Sequence, residues 1–299
     1  MSVSNNYIGG QEENINSAKK EVSAEPERRQ YQSQSGGPIN AHKEEEIKRI
    51  YAKYNRQKEF ISIAAHELKS PIVPILGALE LIEVEFGETG KEQITLKKQH
   101  YNIIVRNIKR LERVASEILD VTRIADQTLN LRKEYFNLSD IVVDAIVDFR
   151  EQIKQNNDYS SNNKLEIFHE FKNGQGENDT FVYADKGRIT QVIYNLLSNA
   201  VKFTHVGTIS VFVFKQRKDN REEVISSIRD TGTGIHPNIL PRLFSIFTTK
   251  SDTGMGLGLY ISKNIVEAHG GNMWGANNAD GKGATFSFSL PSNGTFNTL

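Results

Sequence analysis

The feature that most constrains this chain is an apolar seam that runs past a histidine and through two prolines. From "FISIAAHELKSPIVPILGALELIE", residues 60–83, onward, apolar side chains recur at Ile61, Ala65, Leu68, Ile72, Ile75, Leu79, Ile82 and Phe86. Steps alternating between four and three keep one stripe on one side of a helix packed lengthwise against a partner. "GETGKE" then breaks the helix with two glycines. A second seam follows at Tyr101, Ile104, Ile108, Leu111, Ala115 and Ile118. Two seamed helices joined by a short turn form an antiparallel hairpin that leaves its seam half covered. A second copy is the expected partner, giving a homodimeric four-helix bundle.

Pro71 and Pro74 lie inside the first of these helices, just beyond His66. A proline in a helix interior removes a backbone donor and costs ~3 kcal/mol. Pro71 deprives the carbonyl of Glu67 of its helical donor, and Pro74 does the same to Ser70, so a bend is expected there. Two defects in the best-formed helix of a chain indicate a local cost accepted for function. His66 falls one position past a seam residue, on the partly wet shoulder of the bundle, with Glu67 as an acid/base neighbour. A lone histidine there is ordinarily an inert surface residue; the prolines and Glu67 shift that balance.

Composition removes several classes of function. Lysine plus arginine equals aspartate plus glutamate, 37 each, so no basic excess points to nucleic acid or an anionic membrane. There is no cysteine, which excludes disulfides and thiol catalysis and allows a reducing cytosol. No apolar run approaches the roughly 18 residues of a membrane span, and the N-terminus lacks an apolar signal core. The chain reads as soluble and cytoplasmic, with no nucleic-acid partner and no membrane segment.

Residues 1–41 are rich in Ser, Asn, Gln, Glu and Gly, and are expected to be disordered. Residues 42–130 form the helical domain. Residues 136–292 change texture. "NLSDIVVDAIVDFREQI" reads as a helix capped by Ser139 or Asn137, and "DKGRITQVIYNLLSNAVKF" as one capped by Asp185. "NKLEIFHEF" and "TFVYAD" read as strands, while "GTISVFVFKQ" and "EEVISSIRD" form a hairpin. "LGLYISKNIVEAHGG" is a helix closed by Gly270 or Gly271, and the strands "NMWGANN" and "ATFSFSL" complete the domain. The predicted fold class is α+β multidomain: a hairpin forming a dimeric bundle, then an α/β sandwich with a largely antiparallel sheet.

Three polar islands stand out in the second domain. Asn195 and Asn199 share a helix face, followed by Lys202. Amide oxygens and a cation there suit Mg²⁺ and phosphates, although a solvated polar face has the same spacing. In "RDTGTGI", Asp230 ends a strand and Gly232 and Gly234 flank a threonine. A carboxylate there can accept from an exocyclic amine while glycines admit a flat base, or the segment is a plain turn. In "GMGLGL", Gly254, Gly256 and Gly258 open a helix, whose free amides attract anions. It lacks the GK[ST] of a P-loop.

Each island alone is ambiguous, but together with the hairpin they resemble the sensor histidine kinases of two-component systems over about residues 45–292. "AAHELKSP" resembles the phosphoacceptor box, "NLLSNAVKFT" the asparagine box and "DTGTGI" the first glycine box. "LFSIFTTK" is similar to the phenylalanine box and "GMGLGLYISKNIVEAHGG" to the second glycine box. The resemblance implies an ATP- and Mg²⁺-dependent kinase that phosphorylates His66 and passes the phosphoryl group to an aspartate on a separate response regulator. It makes His66 the nucleophile, Glu67 its proton acceptor, Asn195 the Mg²⁺ ligand with Asn199 beside it, and Lys202 a phosphate contact. Asp230 would read the adenine amino group, with Gly232 and Gly234 shaping the base pocket. Gly254, Gly256 and Gly258 would line the phosphate side, under a mobile lid from about Phe244 to Thr253 that brings Lys250 within reach of a phosphate.

The same ATP-binding fold serves gyrase-like and chaperone ATPases, which place a water-activating glutamate where this chain has Asn195. An asparagine is no such base, so the resemblance favours transfer to a protein side chain over hydrolysis. Ser70 occupies the position from which relatives orient water for regulator dephosphorylation, usually through threonine or asparagine. The alternative reading is a nucleotide-gated scaffold or regulator phosphatase with little kinase activity. His42, His100, His169, His205 and His236 show no metal-ligand spacing, and His269, at a helix end, is expected to cap it.

Overall fold

Helix α1 (Pro38–Thr89) opens on a proline, whose fixed φ and missing N–H suit a first helical turn. It remains helical through Pro71, Pro74 and Gly87, so the prolines thin its hydrogen-bond ladder without ending it, and the expected break falls later than Gly87. The computed structural model describes residues 38–89, 97–156, 165–171, 180–218, 221–249 and 255–292. Nearly all of the segment expected to be disordered therefore lies outside the described residues, as do Lys250, Gly254 and the rest of the "GETGKE" turn after Thr89. The chain divides into two units, residues 1–58 and 59–299. In the first, the described part of α1 exposes Ile47, Ile50, Tyr51 and Tyr54.

In the second unit, α1 pairs with α2 (Lys98–Ala125). The seam is only partly covered within one chain. Of the expected seam, Leu68, Ile75 and Ile82 are half-buried, whereas Ile61, Ala65, Ile72 and Leu79 are exposed; the buried positions are the neighbours Ala64, Pro71 and Ala78. On α2, Val114 and Val121 are buried while Tyr101, Ile108 and Leu119 are exposed.

The sandwich follows as β1 (Lys133–Asn137), α3 (Leu138–Asn156), β2 (Leu165–Phe171), β3 (Phe181–Asp185), α4 (Lys186–Phe203), β4 (Gly207–Lys218), β5 (Arg221–Asp230), α5 (Gly258–Ala268), β6 (Asn272–Asn277) and β7 (Ala284–Pro291). A five-stranded sheet has the order β2-β4-β5-β7-β6, parallel only between β2 and β4. The period of two sends Ile209, Val211, Val213, Val224, Ile228, Phe288 and Leu290 to one face, where they are buried under the helices. There α4 contributes Ile189, Val192, Ile193, Leu196 and Leu197, all almost wholly buried, and α5 contributes Ile261 and Ile265. The same core continues into the hairpin through Val114 and Val121, with Phe60, Ile63 and Ile118 packed against it.

Strand β1 pairs antiparallel with β3, setting Tyr135 opposite Tyr183 with ring centroids 4.7 Å apart. Sequence gave no sign of β1: "KEYFN" is short and its first three residues are exposed, so it lacks alternation. Asn137 is the cap of α3, its side-chain oxygen accepting from the Ser139 N–H at 3.1 Å. The left-handed residue that closes α5 is Gly270, at φ +79°.

His269 does more than cap. Its Nε2 accepts from the Asp185 N–H at 2.9 Å, so Nδ1 carries the proton and donates to the Ile265 carbonyl at 2.8 Å. The ring thereby ties the end of α5 to the start of α4. Burial holds the His269 pKa below the ordinary histidine value, outweighing the opposing backbone hydrogen bond. Its contribution to stability is therefore full above about pH 6.5 and lost on acidification, where the unfolded chain binds the extra proton first. Replacing His269 by Gln should lower stability by about 1–3 kcal/mol at pH 8, from lost hydrogen bonds, and flatten the acid limb of a denaturation series between pH 8 and 5. An unchanged acid limb would refute this assignment.

Candidate functional site

Helix α4 presents both a buried and a polar face, and its position is fixed at its first turn. Asp185 accepts from the Arg188 N–H at 3.0 Å through Oδ1 and from the Arg132 N–H at 2.8 Å through Oδ2. Burial pushes this carboxyl up, but those two backbone bonds outweigh it and hold the pKa below the ordinary value. With the apolar face locked in the core, the opposite face carries Asn195, Ser198, Asn199 and Lys202 into a cavity of about 620 Å³. That volume is in the range of small-molecule and cofactor sites.

At one end of the cavity lies Asp230, 4% exposed. Its Oδ1 accepts from the N–H of Gly232 at 2.9 Å and of Ala284 at 3.3 Å, and the Thr204 side chain also acts on the carboxylate. Burial raises its pKa above the ordinary carboxylate value, against the pull of the two backbone bonds. Ile235, Leu243, Met255 and Phe286 also line the cavity and give it an apolar wall suited to a flat ring. Gly232 itself does not line the cavity; it braces Asp230 from behind, where a Cβ would stand 2.2 Å from the Phe203 carbonyl oxygen.

At the other end, the Asn195 side chain donates from Nδ2 to the buried Ser262 hydroxyl at 2.9 Å, which commits the nitrogen to α5. The Oδ1 atom faces Gly258, where a Cβ would come within 2.3 Å. Gly256, at φ +67°, passes so close to the backbone of Phe247 and Thr248 that a Cβ would fall 2.9 Å from each. Phe247 itself has φ +62°, and its ring lies 5.9 Å from that of Phe60 on α1. The described part of the expected lid is thus braced against the hairpin. Lys202 lies over the Phe203 ring at 5.5 Å, and burial lowers its pKa, with the nearby Arg113 charge adding to the shift.

The structure gathers Asn195, Asn199, Lys202, Asp230, Gly234, Gly256 and Gly258 around one cavity, but not His66, Glu67 or Ser70. The His66 side chain is 80% exposed on the hairpin, its Nδ1 3.6 Å from Glu67 Oε1. Glu67 turns its other oxygen to Arg110 of α2, 3.2 Å away. Arg113 and Glu117 of α2 also line the cavity, and Ser262 orients Asn195. Sequence carried no signal for them: the first two look like an ordinary surface pair, and Ser262 like a core position of α5.

Comparison with known proteins agrees with this geometry. Residues 56–127 match the His Kinase A (phospho-acceptor) domain family. Residues 184–294 match the histidine kinase-, DNA gyrase B- and HSP90-like ATPase family. The chain is a member of the sensor histidine kinase family. It is 32% identical over 248 residues to sensor protein SrrB of Staphylococcus aureus, covering 79% of this chain and 38% of the relative. It is also 32% identical over 257 residues to sensor protein KdpD of Clostridium acetobutylicum, covering 83% of this chain and 26% of that protein. The chain thus spans well under half of these curated relatives. A crystal structure of histidine kinase ThkA in complex with response regulator protein TrrA is similar at 27% identity and a TM-score of 0.55, covering 84% of this chain and 66% of the other. Among the described residues, no helix is long and apolar enough to cross a membrane.

The close backbone contact at Gly232 gives a direct test. Gly232→Ala should cost about 1–3 kcal/mol in thermal unfolding, because the added methyl meets rigid backbone rather than a movable side chain. A melting point equal to that of the parent chain would show that the Asp230 loop is not packed as described.

Proposed function

We propose that this chain is an ATP-dependent protein-histidine kinase that phosphorylates His66 and passes the phosphoryl group to an aspartate on the receiver domain of a separate response regulator. The observation that carries the reading is one chain holding both an exposed histidine on a helical hairpin and a cavity with Asp230 at one end and Asn195 at the other. The adenine amino group would donate to the Asp230 carboxylate, with the ring against Ile235, Leu243, Met255 and Phe286. The phosphates would lie toward Asn199, Lys202, Gly256 and Gly258, and Lys250 and Gly254 are proposed to complete that end.

The donor set fits Mg²⁺: Ser262 takes the Asn195 nitrogen and leaves an amide oxygen, a hard ligand. Asn195 would hold the ion with Asn199 beside it, and the ion, when bound, supplies charge neutralisation at the phosphate oxygens. His66 acts through Nε2, which bonds to the γ-phosphorus as the bond to the β,γ-bridging oxygen breaks and ADP leaves. The proton on Nδ1 goes to Glu67 Oε1, whose direction is set by the contact of Oε2 with Arg110. Asn195 offers no general base to activate water, which favours transfer over hydrolysis.

The exposed apolar face of the hairpin, with Ile61, Ile72, Leu79 and Ile108 each 39% exposed or more, supports a homodimer in which a second copy covers it. Burying each such side chain contributes roughly 1.5–3 kcal/mol. A need for ATP and for a response regulator puts the reaction in the cytoplasm. Ser70 is the residue proposed to orient water where regulator dephosphorylation occurs.

Incubating the full chain with Mg²⁺ and γ-labelled ATP tests the reaction. The expected result is a label lost in acid, stable in base and absent from His66→Ala. Asn195→Ala should cut the labelling rate by at least tenfold. A chain that binds ATP and stays unlabelled would replace the kinase reading with the nucleotide-gated scaffold.

A further inference from the structure

The cavity is lined by two domains, for Arg113 and Glu117 of the hairpin helix α2 face Asn195, Asn199 and Lys202 of α4. Arg113 Nε stands 3.8 Å from Glu117 Oε1, a loose pair in which the arginine side chain is 64% exposed and the glutamate 23%. The geometry points to Arg113 as a phosphate-binding residue of the nucleotide site, with Glu117 as the counter-ion it leaves when a triphosphate arrives. The inference rests on the nucleotide reading of the cavity and adds a hairpin-borne residue to it.

Two cations, Arg113 and Lys202, line the same cavity as the uncharged amides of Asn195 and Asn199. The Lys202 pKa is held down by burial and then by the Arg113 charge, which places the two cations within electrostatic reach of each other. Burial pushes the Glu117 carboxyl up, Arg113 opposes this, and Asp120 and Glu67 add to it. A glutamate in that position attracts Arg113 weakly and repels a triphosphate. Arginine binds phosphate oxygens through a fixed fork of donors, so the exchange of Glu117 for phosphate exchanges a loose contact for a charge-assisted one. Arg113 also lies one helical turn from Arg110, which holds Glu67 beside His66, so the nucleotide and the acceptor histidine are served by one face of α2.

Calorimetric titration of the full chain with a non-hydrolysable ATP analogue plus Mg²⁺, and with AMP, tests the assignment. Arg113→Ala should weaken analogue binding roughly five- to tenfold and AMP binding much less, since AMP leaves the triphosphate end empty. Arg113→Lys should recover part of the loss, and Glu117→Gln should tighten the analogue roughly two- to fivefold by removing the competing carboxylate. Unchanged analogue affinity in Arg113→Ala, or an equal loss for analogue and AMP, overturns the assignment while leaving the nucleotide site in place. No binding of either ligand to the parent chain overturns the nucleotide reading itself.

Discussion

The structure of the second domain depends on Asp185. One carboxylate ends β3, caps α4 through the Arg188 N–H and holds the Arg132 N–H in the segment leading to β1, while its own N–H is taken by His269 at the end of α5. Four pieces of chain are thereby pinned at one point. The direction of α4 follows from this, and so does the direction of the face that carries Asn195, Asn199 and Lys202. A cap of this kind contributes only about 1 kcal/mol in isolation. Its importance here is geometric, because a small change of tilt in α4 would move every polar group that lines one side of the cavity.

The same helix joins the two domains. Asp120 of α2, 2% exposed, accepts from Arg188 Nη1 at 2.7 Å and from Gln191 Nε2 at 2.8 Å. Removing one partner of a buried pair strands a charge and costs about 3–5 kcal/mol. This contact docks α4 on the base of the hairpin with Arg113 and Glu117 against the cavity and His66 outside it. On the proposed reaction, this docked arrangement precedes transfer: either the Asp120 contact gives way and the domain swings toward His66, or a second copy supplies the acceptor. The stack of Phe60 on Phe247 opposes the same movement from α1.

Much of this was legible in the sequence because it rests on local rules. The cap at Asp185 and the alternation in β4, β5 and β7 follow from side chains and backbone within a few residues, while the cap of α3 and the glycine closing α5 were each narrowed to two positions, Asn137 or Ser139 and Gly270 or Gly271. The period of α1 was legible too, and so was a seam half covered by α2, but not which positions are covered: Ala64, Pro71 and Ala78 are buried in place of Ala65, Ile72 and Leu79. That depends on how two helices cross, and the apolar stripe is wider than either contact alone. Strand β1 was invisible because its pairing with β3 is decided about fifty residues away and its own pattern is mostly exposed.

For the site, the sequence by itself determined the chemical types: the histidine with its acidic neighbour, the paired amides, the carboxylate at a strand end, and glycines where backbone must come close. Tertiary structure alone decided which of these share a cavity, which atom of Asn195 faces it, and that two side chains of the hairpin belong to its wall. The physical reason is range. Capping, periodicity and backbone freedom act over one or two turns of chain, whereas the cavity is made by burying α4 between α5, the sheet and α2, a packing in which no single short stretch carries the information.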